Sequence, residues 1–117
     1  MTYVLEERTE KFAKDVRAFV KKLPKSIAND EDTRQLVKAS GSVAANYIEA
    51  NEAISKKDFY YRIRVCRKES KESRLFLRLV DTGNNDDTEK ERVRLIKEAT
   101  EFILIFNKIL KSDSAGS

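Results

Sequence analysis

From Ser55 to Val80 the chain contains neither glycine nor proline, and its apolar and small residues return every three or four positions. Phe59, Ile63, Cys66, Ser70, Ser73, Leu77 and Val80 fall on one line of a helical projection. A helix with such a line must bury it against other elements, because an isolated helix is marginal in water. The rest of the chain can supply partners of the same kind. It holds one proline and three glycines in 117 residues, so Pro24 and the run TGNNDD (82–87) are the main places where a helix must end.

These breaks divide the chain into four amphipathic segments. The first runs from about Tyr3 or Val4 to Leu23, with Phe12, Val16, Phe19, Val20 and Leu23 on one face and Pro24 as its stop. The second is expected to open at DTRQ, where Asp32 can cap and Gln35 can reach back, and to continue to about Asn51. Its inner face, Leu36, Ala39, Ser40, Val43 and Tyr47, is rich in small residues, and Gly41 suits a close helix crossing. Ser55 caps the third segment, and Thr88 with Glu91 has capping-box spacing for the fourth. The expectation is one all-α domain over residues 1–117: an up-down-up-down antiparallel four-helix bundle with helices at about 3–23, 32–51, 56–82 and 88–111 and a disordered tail at 112–117.

Around the third helix lie two further stripes. Lys57, Tyr60, Arg64, Arg67, Lys71, Arg74 and Arg78 line one side, roughly 110° from the core line. Tyr61, Val65, Glu69, Glu72, Phe76 and Leu79 line the other. A bundle helix needs one apolar stripe, and this helix has a second. The last helix repeats the pattern, with Val93, Ile96, Ile103 and Leu110 on one face and Leu95, Phe102, Phe106 and Ile109 on another. One chain of this size has difficulty hiding all of it. Tyr61, Val65, Phe76, Leu79, Phe102 and Phe106 are therefore expected at a subunit interface of a homo-oligomer.

The net charge of +4 is unevenly spread: residues 52–82 carry nine basic side chains against five acidic, and 83–117 carry six against seven. The basic stripe has two uses open to it, a solvated surface or a phosphate-binding face with salt-dependent affinity. Catalytic signatures are missing. With no histidine, the commonest general base and metal ligand is lost, and the isolated glycines build no phosphate loop. Cys66, on the core line, reads as a small buried hydrophobe, and as the only cysteine it permits no internal disulfide. Asn46 and Glu49 with Glu69 and Glu72 could hold a cation or share a proton, but pairing with arginines such as Arg62, within the bundle or across subunits, is the expectation. Hard cations gather more oxygens than this, so neither a metal nor a cofactor is expected. The acidic start, MTYVLEERTE, is no secretory signal, and FILIF (102–106) is too short to span a bilayer, so a cytoplasmic protein without membrane contact is expected.

The run QLVKASGSVAANYIEAN (35–51) resembles the second-helix signature of the bacterial four-helix bundle family encoded by 23S ribosomal RNA intervening sequences, in which small residues lead into Ser-x-x-x-Asn-x-x-Glu-Gly. Ser42, Asn46 and Glu49 fit, and Ala50 stands where that family usually has glycine. DFYYRIRVCRKESKESRLFLRLV (58–80) is similar to its third helix, with Phe59, Ser70, Glu72 and Leu77 matching and Glu69 fitting a common variant. The resemblance implies a homopentamer with a positively charged, nucleic-acid-binding surface. It also implies kinship with the accessory proteins of diversity-generating retroelements, which bind a reverse transcriptase and nucleic acid. Two functions follow as expectations. One is a non-enzymatic oligomeric bundle holding RNA or DNA on the third helix; the other is an adaptor for a protein partner such as a reverse transcriptase.

Overall fold

The computed structural model describes residues 2–116, with side chains described from 4 to 113. Four helices account for the fold: α1 (Thr2–Val20), α2 (Ile27–Asn51), α3 (Lys56–Leu79) and α4 (Asp86–Gly116). No strand occurs among the described residues. Each helix packs on two neighbours in a ring, α1 on α2, α2 on α3, α3 on α4 and α4 on α1. Cross-contacts give the direction. Arg8 meets Glu98 while Asp15 meets Arg94, and Arg67 meets Asn107 while Arg74 meets Thr100. Both pairs are antiparallel, and the result is a four-helix rod of 48 × 21 × 20 Å.

The helix starts are set by side chains that satisfy orphan backbone donors. Ser55 Oγ accepts from the Asp58 N–H at 3.0 Å. Two starts differ from those read off the sequence. α2 begins five residues before Asp32, because Ser26 Oγ already accepts from the Asn29 N–H at 3.0 Å. α4 begins at Asp86, because Asn85 Oδ1 accepts from the Thr88 N–H at 2.9 Å. The ends shift as well. α1 stops at Val20 and α3 at Leu79, both short of the expected residues. Behind α3, Gly83 and Asn84 take positive φ of 70° and 59°, a turn that only glycine and a few polar residues make cheaply. The tail expected to fray from residue 112 instead continues α4 to Gly116, and Ser117 lies outside the described residues. No breaker precedes Gly116, and Asp113 is held by an ion pair from Arg64 at 3.2 Å.

A single buried cluster runs along the axis. Phe12, Val16 and Phe19 of α1 meet Leu36, Val43 and Tyr47 of α2, Ile63, Cys66 and Leu77 of α3, and Leu95, Phe102 and Phe106 of α4. Each large apolar side chain buried in this way contributes about 1.5–3 kcal/mol. Phe102 packs edge-on against Phe12 with ring centres 5.3 Å apart, and Tyr47 lies 6.2 Å from Phe106. Phe102 and Phe106 are fully buried in the chain's own core. Their expected place at a subunit interface is therefore corrected: α4 turns Leu95, Phe102 and Phe106 inward, and Ile109 at the end of that face stays partly exposed.

Small residues let α2 and α3 approach. Ser40, Ser70 and Ser73 are fully buried, and each hydroxyl donates to a carbonyl of its own helix. The Cys66 thiol points at the Val43 carbonyl, 3.6 Å away. Gly41 faces α1 instead, where a Cβ would come within 3.1 Å of the Arg17 guanidinium. The space it leaves is filled by the end of a flexible side chain, not by a second backbone.

Candidate nucleic-acid interface

Helical geometry puts the basic residues of α3 on the edge nearest α4. Arg67 Nη1 donates to Asn107 Oδ1 at 2.9 Å, and Arg74 Nη1 donates to Thr100 Oγ1 at 3.2 Å. Both partners are neutral. They fix the guanidinium planes and leave the charges uncompensated, with the remaining N–H donors free for an acceptor. Lys57, Lys71 and Arg78 are exposed and form no ion pair among the described residues. Arg64 is the exception, tied to Asp113. Tyr60, half-buried at one end, packs edge-on against Phe59 with ring centres 5.1 Å apart. The expected stripe is thus continuous along one edge of the rod.

α4 widens this edge into a groove. Arg67, Asn107, Lys108 and Lys111 rim it, and Leu104 and Leu110 form its apolar lining. Lys108 and Lys111 were not picked out from the sequence, although Leu104, Lys108 and Lys111 step by four and three along one face. The near-neutral charge of the last segment concealed them. The structure explains the concealment, because three of α4's carboxylates, Glu91, Glu98 and Glu101, are turned the other way. Glu98 and Glu101 accept from Arg8, and Glu91 shares Arg94 with Asp15 of α1. Hydrogen bonds from Arg94 hold the Glu91 carboxyl below its ordinary value; at Asp15 burial pushes upward, but hydrogen bonds from Lys11 and Arg94 outweigh it. Asp15, Glu91, Glu98 and Glu101 are thus engaged at the α1/α4 seam, and the α3/α4 seam, where Asp113 meets Arg64, is left with an excess of positive charge.

The opposite side of α3 gathers the motif residues. Asn46 donates from Nδ2 to Ser42 Oγ at 3.0 Å and accepts at Oδ1 from Arg62 Nη1, also at 3.0 Å. Of the four residues expected to meet Arg62, Asn46 does so within the chain, while Glu49, Glu69 and Glu72 form no ion pair among the described residues. Burial, and then the charge of Glu72, push the Glu69 carboxyl upward. No group of three metal-ligating side chains occurs among the described residues. Burial pushes the Cys66 thiol up to about 12, so it is a poor nucleophile. Of the expected interface residues on this side, Tyr61 and Leu79 are exposed, while Val65 and Phe76 are half-buried. No described helix is long and apolar enough to cross a membrane.

The model of the family described as 23S rRNA-intervening sequence protein matches residues 3–108. Among solved structures, the fold is similar to a protein of unknown function from the S23 ribosomal protein family of Bacteroides thetaiotaomicron. The two share 22% identity with a TM-score of 0.75, over 94% of this chain and 97% of that one. No curated protein matches the chain.

Proposed function

Because the chain belongs to the 23S rRNA-intervening sequence protein family, we propose that it acts without catalysis, as a self-associating helical bundle in the cytoplasm whose α3/α4 face holds the phosphate backbone of RNA or DNA. The observation that carries this reading is the segregation of charge. Arg67 and Arg74 are oriented by neutral partners, and Lys71, Arg78, Lys108 and Lys111 stand beside them, while Glu91, Glu98 and Glu101 of α4 are engaged at the α1 seam. Cations in register with no carboxylate between them release counterions when they meet phosphates, which gives affinity with little base preference.

The test is binding to a ribosomal RNA fragment across a salt series. Affinity should fall steeply with salt, by about 0.7–0.9 log units per log unit of salt for each phosphate contacted. Replacing Arg67, Lys71 and Arg74 by glutamate should abolish it. Binding that survives this replacement, or that ignores salt, rules the face out. Retention of a single protein partner after nuclease treatment, with no binding of RNA or DNA, would make the chain an adaptor instead.

A further inference from the structure

A phosphate gains nothing from apolar surface, so a face that holds only phosphates needs cations and water alone. The groove at the α3/α4 seam has more than that. It offers about 670 Å³, within the roughly 300–1,000 Å³ of sites that bury a small organic group. Leu104 and Leu110 lie between its cations, Arg67, Lys108 and Lys111, and Leu104 is 62% accessible. The antiparallel register that joins Arg67 to Asn107 and Arg74 to Thr100 sets Leu104 level with Lys71, inside the row of cations. The groove's polar groups are donors. Arginine can only donate, so the bond from Arg67 Nη1 turns Asn107 Oδ1 toward α3 and leaves Nδ2 without a partner among the described residues. No carboxylate of the described residues lines the groove. What fits must bring acceptors, negative charge and an apolar face together.

We propose, resting on the nucleic-acid reading above, that this face takes single-stranded RNA or DNA in preference to a duplex. One unstacked base lies on Leu104 and accepts from Asn107 Nδ2, while the phosphates on either side meet Arg67, Lys71 and Lys108. A nucleotide carries a flat apolar ring with acceptors on its edge beside an anion, and that ring is within reach only when the base has left its stack. In a duplex the bases are stacked inside, so phosphates alone would reach this edge and Leu104 would stay without a partner. Charge on its own favours the opposite choice. A duplex has the denser charge and releases more counterions for each phosphate neutralised, so cations alone would prefer it. A preference for the strand therefore has to come from the base. Tyr60, half-buried one turn before Arg64, adds an aromatic ring to the same side of α3. A rod 48 Å long can also follow an extended strand along its edge, whereas each strand of a duplex winds away over a helical turn of about 34 Å.

The experiment measures binding of a strand of about 15 uridines, near the upper site size of single-strand binders, of the matching thymidine strand, and of each paired with its complement. Both bases offer carbonyl acceptors to Asn107. Wild type should hold a strand at least about fivefold more tightly than its duplex at the same salt, the lower end of what one seated base contributes. A strand preference with either sugar supports the proposal. Leu104→Ser, at an exposed position outside the core, should remove that preference and leave duplex affinity, salt slope and helicity as they were. A duplex held as tightly as the strand, or a preference that survives Leu104→Ser, overturns the proposal and leaves the charged face standing. Neither strand nor duplex bound at low salt overturns both readings. Binding to anionic phospholipid vesicles in their place, lost with Leu104→Ser, would make the groove a membrane contact.

Discussion

Arg67 of α3 and Asn107 of α4 are joined at 2.9 Å by a bond in which only the donor is charged. The amide holds the guanidinium at the groove and leaves its charge available to a phosphate. Asn107→Asp, nearly isosteric, would convert the bond into an ion pair and spend that charge. It should lower affinity for an RNA fragment at low salt and reduce the salt slope by about one phosphate's worth. Asn107→Ala should keep the slope. Filter binding at several salt concentrations separates the two.

Arg64 provides the converse case, since Asp113 already neutralises it at 3.2 Å. Asp113→Asn should release that cation to the face and strengthen binding at low salt, with the gain vanishing at high salt. The pair is half-exposed, so its loss should cost the fold less than about 1 kcal/mol. An affinity unchanged by Asp113→Asn would place Arg64 outside the contact surface.

The fold is pinned at one end by Asn29. It is buried, donates from Nδ2 to the carbonyls of Pro24 at 2.8 Å and Asp81 at 2.9 Å, and accepts from the Asp81 N–H at 2.9 Å. One side chain therefore ties the start of α2 to the loop after α3. Asn29→Ala leaves buried backbone groups without partners, which should cost about 2–4 kcal/mol. The urea midpoint should fall with the slope unchanged. Arg92 braces the same corner from α4, donating to the carbonyls of Val80 and Leu77.

The rod and its inner line were legible because the period of three to four residues leaves little choice about what a breaker-poor chain does. Ile63, Cys66, Ser70, Ser73 and Leu77 all lie where that line puts them. Boundaries were less legible, because several polar residues near each break are competent caps and only the loop path decides among them. Ser26 won over Asp32, and Asn85 over Thr88. The faces of α4 were hardest. Its apolar residues cover more than one side, and packing chose Phe102 and Phe106 for the interior. Lys108 and Lys111 were hidden in a segment whose charges cancel in sum, though not in space.

The α1/α4 seam should be sensitive to acid. Glu91 and Asp15 both have lowered proton affinity, with Arg94 as shared donor at 2.8 and 2.9 Å. A carboxyl depressed in the folded chain contributes stability above its unfolded value, near pH 4, and loses it as pH falls through the folded value. Wild type should therefore exceed Arg94→Gln by less than about 1 kcal/mol per pair at neutral pH. The difference should shrink as the carboxylates protonate. Urea midpoints at pH 7 and in mild acid test this.

Glu69 should behave in the opposite sense. Burial, and next the neighbouring Glu72, raise its proton affinity in the folded chain. Such a group favours the fold fully below its unfolded value, near pH 4.3, and that contribution is lost as pH rises through the folded value. A glutamine side chain at this position has the same shape without the charge. Glu69→Gln should therefore match the parent chain in acid and exceed it at neutral pH, by less than about 1 kcal/mol for a partly solvated charge. Urea midpoints of the two chains at pH 7 and in mild acid make the comparison. No gain from Glu69→Gln at neutral pH would mean that the charges of Lys68 and Lys38 offset the burial of this carboxylate.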